Sequence, residues 1–288
     1  MFQGDFMKLY IETDIEGIAG FSFGVDKMPD EQKEAYRARI NRLLTHEVNA
    51  AIEGAFSGGA DEVLVHDGHS TGYNIIIEEL HPEARICQGI SAYAPNWQPG
   101  LDKSIDAVIG IGGHVRKGTN GLTPHTLFTV NNSIQLGEFE MTAALAGWLD
   151  IPFIYASGDT ELEKQLKTII PDIEYTPVKI PLYTCYANSI TPVKARELIK
   201  KGVKKAVGNY KKNRPFKIPA EPPFAVNILG SDYQDPNAIG RSSDFWEAVM
   251  QSLETIFYYD CSRKNPWPGT PRGPVYNKHQ LISGNLKK

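Results

Sequence analysis

The segment IDAVIGIGGHV, residues 105–115, constrains this chain more than any other. It is apolar almost throughout. A short continuous run of this kind suits a strand buried on both faces, which is the situation in a parallel sheet covered by helices on each side. The run ends in Gly112-Gly113-His114, where apolar character stops. Three other segments follow the same plan: KLYIETD (8–14), DEVLVHDGHS (61–70) and IPFIYA (151–156). Helical patterns alternate with them. Residues 31–56 carry an apolar stripe through Ala35, Leu43, Leu44, Val48, Ala51, Ile52, Ala55 and Phe56, with Asp30 placed to cap it and SGG (57–59) to stop it. A helix is expected from near Gly137 to about Leu149, another from Thr160 to about Thr168, and a third after Thr191 as N-cap with Pro192 at the first helical position. Strands alternating with helices predict an α/β fold, a largely parallel sheet flanked by helices in the N-terminal part.

The remaining elements break that alternation. A hairpin is expected from Thr126–Val130 and Ser133–Leu136 about an Asn131-Asn132 turn. Strands near Ile173–Ile180 and in PPFAVNILG (222–230), with a helix over 244–258, predict a smaller α+β second portion. The expected organisation is therefore an α/β domain over 7–175, a smaller α+β portion over 176–260, and an irregular Pro- and Gly-rich arm over 261–288.

Composition excludes several functions. Hydrophobic residues make up 41%, charged residues 22%, and the net charge is -4, so nothing draws the chain to nucleic acid or to an anionic membrane. The lysines between 200 and 214 read as a solvated helix face. No apolar stretch approaches the roughly 20 residues that span a bilayer. The three cysteines are far apart and form no CxxC pair, and no basic region followed by an apolar run opens the chain. A cytoplasmic location is the expectation.

In an open α/β sheet, ligands bind beyond the carboxyl ends of the strands. Polar side chains collect there. The first strand ends in Glu12, Asp14 and Glu16, two residues apart, so that on an extended backbone three carboxylates crowd one face. Such crowding needs a positive partner. The second strand leads into His66, Asp67 and His69, and the third into His114. His125 precedes the hairpin, and Glu138 sits in the first turn of the helix after it. Four of the seven histidines stand at these places, which scattered structural histidines would not. Each feature has a plain structural reading; Glu138, for instance, suits a helix N-terminus. Their conjunction matches a mixed oxygen and nitrogen metal site, and five such groups exceed what one catalytic zinc requires, suggesting two ions sharing a carboxylate. The glycines spell neither G-x-G-x-x-G nor a P-loop, and GHS (68–70) is not a nucleophile elbow.

These pieces, in order, resemble the D-aminopeptidases of the dipeptide-utilisation type, a family of zinc peptidases. The resemblance is carried by KLYIETDIEGIAG, EVLVHDGHS, GIGGHV, TPHT, LGEFEMTAALAGWLDIPFIYASGD and TPVKARELI, over about residues 7–258. It implies that Asp14, Glu16, His69, His114 and Glu138 hold two zinc ions per chain, with Asp14 bridging, and that His125 is the catalytic histidine. It implies a catalytic first domain, a short peptide as substrate, release of N-terminal residues of D configuration, and a ring-shaped homo-oligomer, a decamer. His66 falls at a position that need not be histidine. Asp67 is expected to orient His69 or to contact the substrate amine, and Glu12 to be an outer contact, a contact to the substrate amine, or turned away by strand twist. Two other readings of the residues stay open: a metal-dependent hydrolase of a non-peptide amide or ester, and a peptide-binding protein without catalysis.

Overall fold

A computed structural model describes residues 6–89, 97–230 and 239–253. In chain order its strands and helices are β1 (Lys8–Thr13), α1 (Asp30–Gly58), β2 (Glu62–Asp67), β3 (Arg85–Cys87), β4 (Ala107–Gly113), β5 (Leu127–Val130), β6 (Ile134–Leu136), α2 (Glu138–Trp148), β7 (Phe153–Asp159), α3 (Thr160–Ile169), β8 (Glu174–Tyr183), β9 (Tyr186–Ser189), α4 (Pro192–Gly208), β10 (Phe224–Leu229) and β11 (Ile239–Ser242). Residues 245–253 are helical. The rest of the helix expected over 244–258, and the arm over 261–288, lie outside the described residues.

A seven-stranded sheet has the order β3-β2-β1-β4-β7-β8-β9. Its pairings are parallel except that of β8 with β9. Strand alternation divides its side chains between two layers. Leu9, Ile11, Val63, Val65, Ile109 and Ile111 pack with Leu44, Val48 and Ile52 of α1 and Ile199 and Val203 of α4. Tyr10, Val108 and Ala156 face the other way, with Phe139 and Ala143 of α2 and Leu162 and Leu166 of α3. Central strands buried on both faces follow from runs such as AVIGIGG, every residue of which is buried.

A second, antiparallel sheet has the order β11-β10-β5-β6. Its core joins Phe128, Val130, Val226 and Ile228 to Phe245, Ala248 and Val249, and to Met141, Ala144 and Leu145 of α2. So α2 lies between the two sheets, which is why Phe139 to Gly147 are all buried and why EFEMTAALAGW is apolar around the helix.

The structure differs from the expectations, or adds to them, at three places. The boundary expected near residue 176 falls inside β8, a strand of the large sheet, and the small sheet takes β5 and β6 from before it and β10 and β11 from after it. Non-local pairing of β5 with β10 leaves no local signature. Asp30 does not cap α1; it is the first helical residue, Pro29 precedes it as N-cap without a side-chain bond, and Asp30 pairs with Lys33 at 2.6 Å. Strand β9 is an addition, paired to β8 by a tight ribbon whose Tyr183 and Tyr186 are exposed.

Candidate metal centre

Beyond the end of β1 the chain turns across the end of β4. The amide of Asp14 donates to Ile111 O at 2.8 Å and that of Gly17 to Gly112 O at 2.6 Å. Glycine is required on both sides of this crossing. A Cβ at Gly112, where φ is +80°, would sit 2.2 Å from Asp14 O, and one at Gly17 would sit 2.1 Å from Gly113 O. The glycines that spell no nucleotide motif therefore bring two strand ends into backbone contact, and with them Asp14, Glu16 and His114.

The side chains form two groups. In the first, His69 Nδ1 is 3.1 Å from Asp14 Oδ1 and 3.2 Å from Glu16 Oε2. In the second, Glu138 Oε1 is 3.4 Å from His114 Nε2 and 3.7 Å from His125 Nε2. Within each group one ligand-type atom per residue lies within 4.8 Å of the others. Asp14 links the groups, because its Oδ2 is 3.6 Å from His114 Nε2. Asp14, Glu16 and His114 are 3%, 7% and 2% exposed. Yet Asp14 Oδ2, Glu16 Oε2 and His114 Nε2, all buried, take part in no hydrogen bond. A buried polar atom left so costs about 1–3 kcal/mol. Three of them converging in one place is what divalent ions with oxygen and nitrogen ligands would satisfy.

The electrostatics agree. Burial raises the Asp14 carboxyl well above the ordinary carboxylate range, and Glu16 and Glu138 push it further. Against the opposing effect of burial, Glu138 and then Asp14 and Glu16 push His114 up to about 10. Burial also opposes the ionisation of Glu138, but His114 and His125 pull it down to about 2. Three carboxylates thus compete for the positive charge that two or three imidazoles can carry, and bound cations would replace those protons.

Local structure orients these side chains. His114 Nδ1 donates to Val115 O at 2.7 Å, which leaves Nε2 turned to the carboxylates. His125 Nδ1 donates to Thr123 O at 2.9 Å, so its Nε2 likewise faces the site. The two rings stack with centroids 4.2 Å apart. At the start of α2, Glu140 Oε2 accepts the Gly137 amide at 2.6 Å and Gln165 Nε2 at 2.7 Å. Glu140 caps the helix, and Glu138 is free to point into the site.

Glu12 stands apart. Its Oε2 is 2.6 Å from His66 Nδ1, its register partner on β2, and it belongs to neither group. It is buried against His66, and burial raises its carboxyl above the ordinary carboxylate range. Asp67 is likewise engaged. It accepts the Asn74 and Ile75 amides at 2.6 and 2.7 Å and Asn74 Nδ2 at 2.9 Å, while Asn74 Nδ2 also donates to His69 O at 2.6 Å. It therefore supports the main chain of the His69 loop rather than the imidazole, a correction to its expected role. Sequence reasoning missed Lys179, whose signal was a lysine between prolines beside the apolar Val178 in TPVKIPL.

The profile of the D-aminopeptidase family matches residues 7–240, a span holding every residue of the two groups. The chain is 32% identical to the D-aminopeptidase of Bacillus subtilis (strain 168) over 229 residues, covering 77% of this chain and 81% of that protein. Among solved structures it is similar to the Zn-dependent D-aminopeptidase DppA from Bacillus subtilis, described as a self-compartmentalizing protease, with 27% identity, a TM-score of 0.76, and coverage of 90% of this chain and 99% of that one.

Proposed function

The chain belongs to the D-aminopeptidase family, and on that premise we propose that it is a zinc-dependent aminopeptidase that releases N-terminal D-amino acids from short peptides. The observation that carries this reading is the convergence of three buried, hydrogen-bond-free ligand atoms, Asp14 Oδ2, Glu16 Oε2 and His114 Nε2, at the mouth of a parallel sheet. We read Asp14, Glu16 and His69 as the holders of one zinc and Asp14, His114 and Glu138 as those of a second, with Asp14 shared. Zinc bound there supplies Lewis acidity, polarising a peptide carbonyl and acidifying water to a pKa of about 7.

The chain's own residues do the rest. Asp14 and Glu138 fix the positive charge near the reacting carbonyl. The bond from His125 Nδ1 to Thr123 O holds the ring so that Nε2 can carry a proton to the leaving amine nitrogen as the C–N bond breaks. His125, partly open to solvent, is placed to meet substrate, whereas His114 is enclosed. Assembly into a ring-shaped homo-oligomer is part of the same reading; its support is the self-compartmentalizing description of the similar structure.

The test is a hydrolysis screen over D- and L-configured dipeptides with zinc supplied and with a chelator. Turnover of D-configured dipeptides that the chelator abolishes and zinc restores is expected. Full activity in metal-free protein, or turnover of p-nitrophenyl phosphate and no peptide, would contradict the reading.

A further inference from the structure

We propose that Lys179 is a positioning residue for the metal centre: its ammonium holds the turn after β1 so that Asp14 and Glu16 are aimed before any metal arrives. The inference rests on the zinc reading above. Lys179, at the outer part of β8, is 2% exposed. Its Nζ donates to Glu16 O and to Phe21 O, each at 2.8 Å, and so ties together the two ends of the turn. Between them, the Ala19 amide donates to Glu47 Oε1 at 2.8 Å, and Glu47, on α1, is 1% exposed. The Gly20 amide donates to Ser189 Oγ of β9 at 3.3 Å. On the opposite side, β4 accepts the Asp14 and Gly17 amides. The turn carrying two carboxylate ligands is thus gripped from β4, α1, β8 and β9.

A buried ammonium is an expensive device. Packing alone would be served better by an aliphatic side chain. Lys179 directs its hydrogen bonds to main-chain carbonyls of the turn, and the Glu47 carboxyl, which burial pushes up to about 7, lies close enough to favour the ammonium when ionised. A purely electrostatic role predicts the opposite outcome from a positioning role. A cation beside a metal centre repels the metal, so deleting it would tighten zinc binding. If the ammonium positions the ligands, deleting it loosens zinc binding.

The experiment measures zinc affinity by competition with a chromophoric chelator in the full-length protein, for the parent, Lys179→Met, Lys179→Gln and the conservative Lys179→Arg. Thermal midpoints of the metal-free proteins and kcat and KM on a D-configured dipeptide are recorded alongside. Expected is a loss of zinc affinity of about 10–100-fold in Lys179→Met and Lys179→Gln, the range found when groups supporting a metal's ligands are removed. With zinc at saturation, kcat should fall while KM changes little, and Lys179→Arg should restore part of both losses. A folded Lys179→Met or Lys179→Gln protein that binds zinc as tightly as the parent, or more tightly, overturns the proposal. Failure of both variants to fold overturns it too, by making Lys179 a structural residue. A parent that binds no zinc instead removes the reading on which the proposal stands, which separates the two failures.

Discussion

Two buried carboxylate–histidine arrangements stand two residues apart at the end of β1, and they differ in kind. Glu12 meets His66 across a parallel register at 2.6 Å, one carboxylate to one imidazole. Asp14 meets His69 at 3.1 Å and His114 at 3.6 Å, and shares them with Glu16 and Glu138. The first pair is satisfied within the protein. The second leaves buried Asp14 Oδ2, Glu16 Oε2 and His114 Nε2 with ion-pair contacts but without a hydrogen bond. Similar groups at similar depth thus form a single pair in one case and a carboxylate–imidazole cluster in the other. What separates them is that one is a single pair at hydrogen-bond distance and the other a cluster of three carboxylates and three imidazoles held at 3.1–3.7 Å.

Breaking the larger arrangement should have the larger effect. Asp14→Ala removes the carboxylate common to both groups, and zinc affinity should fall beyond the roughly 100-fold that loss of a supporting group costs, with activity lost at ordinary zinc levels; competition with a chelator measures it. His125→Ala should lower kcat by about 10²–10⁴-fold while the protein keeps its metal, as elemental analysis of the purified variant would report. Retained turnover would remove His125 from proton transfer, and lost metal would make it a ligand.

Next comes the smaller arrangement, where the readout changes from chemistry to stability. His66→Ala leaves the buried Glu12 carboxyl without its imidazole partner and should cost about 1–3 kcal/mol in denaturant unfolding, with metal content preserved. Replacing both partners with apolar residues of similar size, Glu12→Met with His66→Leu, should come within about 1–2 kcal/mol of the parent, since an ion pair exchanged for good packing is often close to neutral. Metal lost from that double variant would show that Glu12 and His66 belong with the centre after all.

Much of this was legible from the chain alone, for identifiable reasons. The apolar run at 107–113, with every residue buried, announced a central parallel strand. Thr191 does cap α4, accepting the Lys194 amide, and Asn131-Asn132 do adopt the positive φ values, 50° and 55°, that a tight hairpin needs. Asp14, Glu16, His69, His114, His125 and Glu138 do come together, because strand ends of one parallel sheet share an edge. What stayed hidden depends on contacts distant in sequence. The partner of Glu12 follows from the register of β1 on β2. The place of β10 beside β5 follows from pairing across about a hundred residues of chain, a separation no local pattern encodes. Lys179 reaches Glu16 over 163 residues.

The central claim is that Asp14 serves two metal positions while Glu12, two residues earlier, serves none. Anomalous diffraction at the zinc absorption edge from crystals grown with zinc tests it most directly. The account predicts two peaks per chain, one among Asp14, Glu16 and His69 and one among Asp14, His114 and Glu138. A single peak, or a peak between Glu12 and His66, would contradict it.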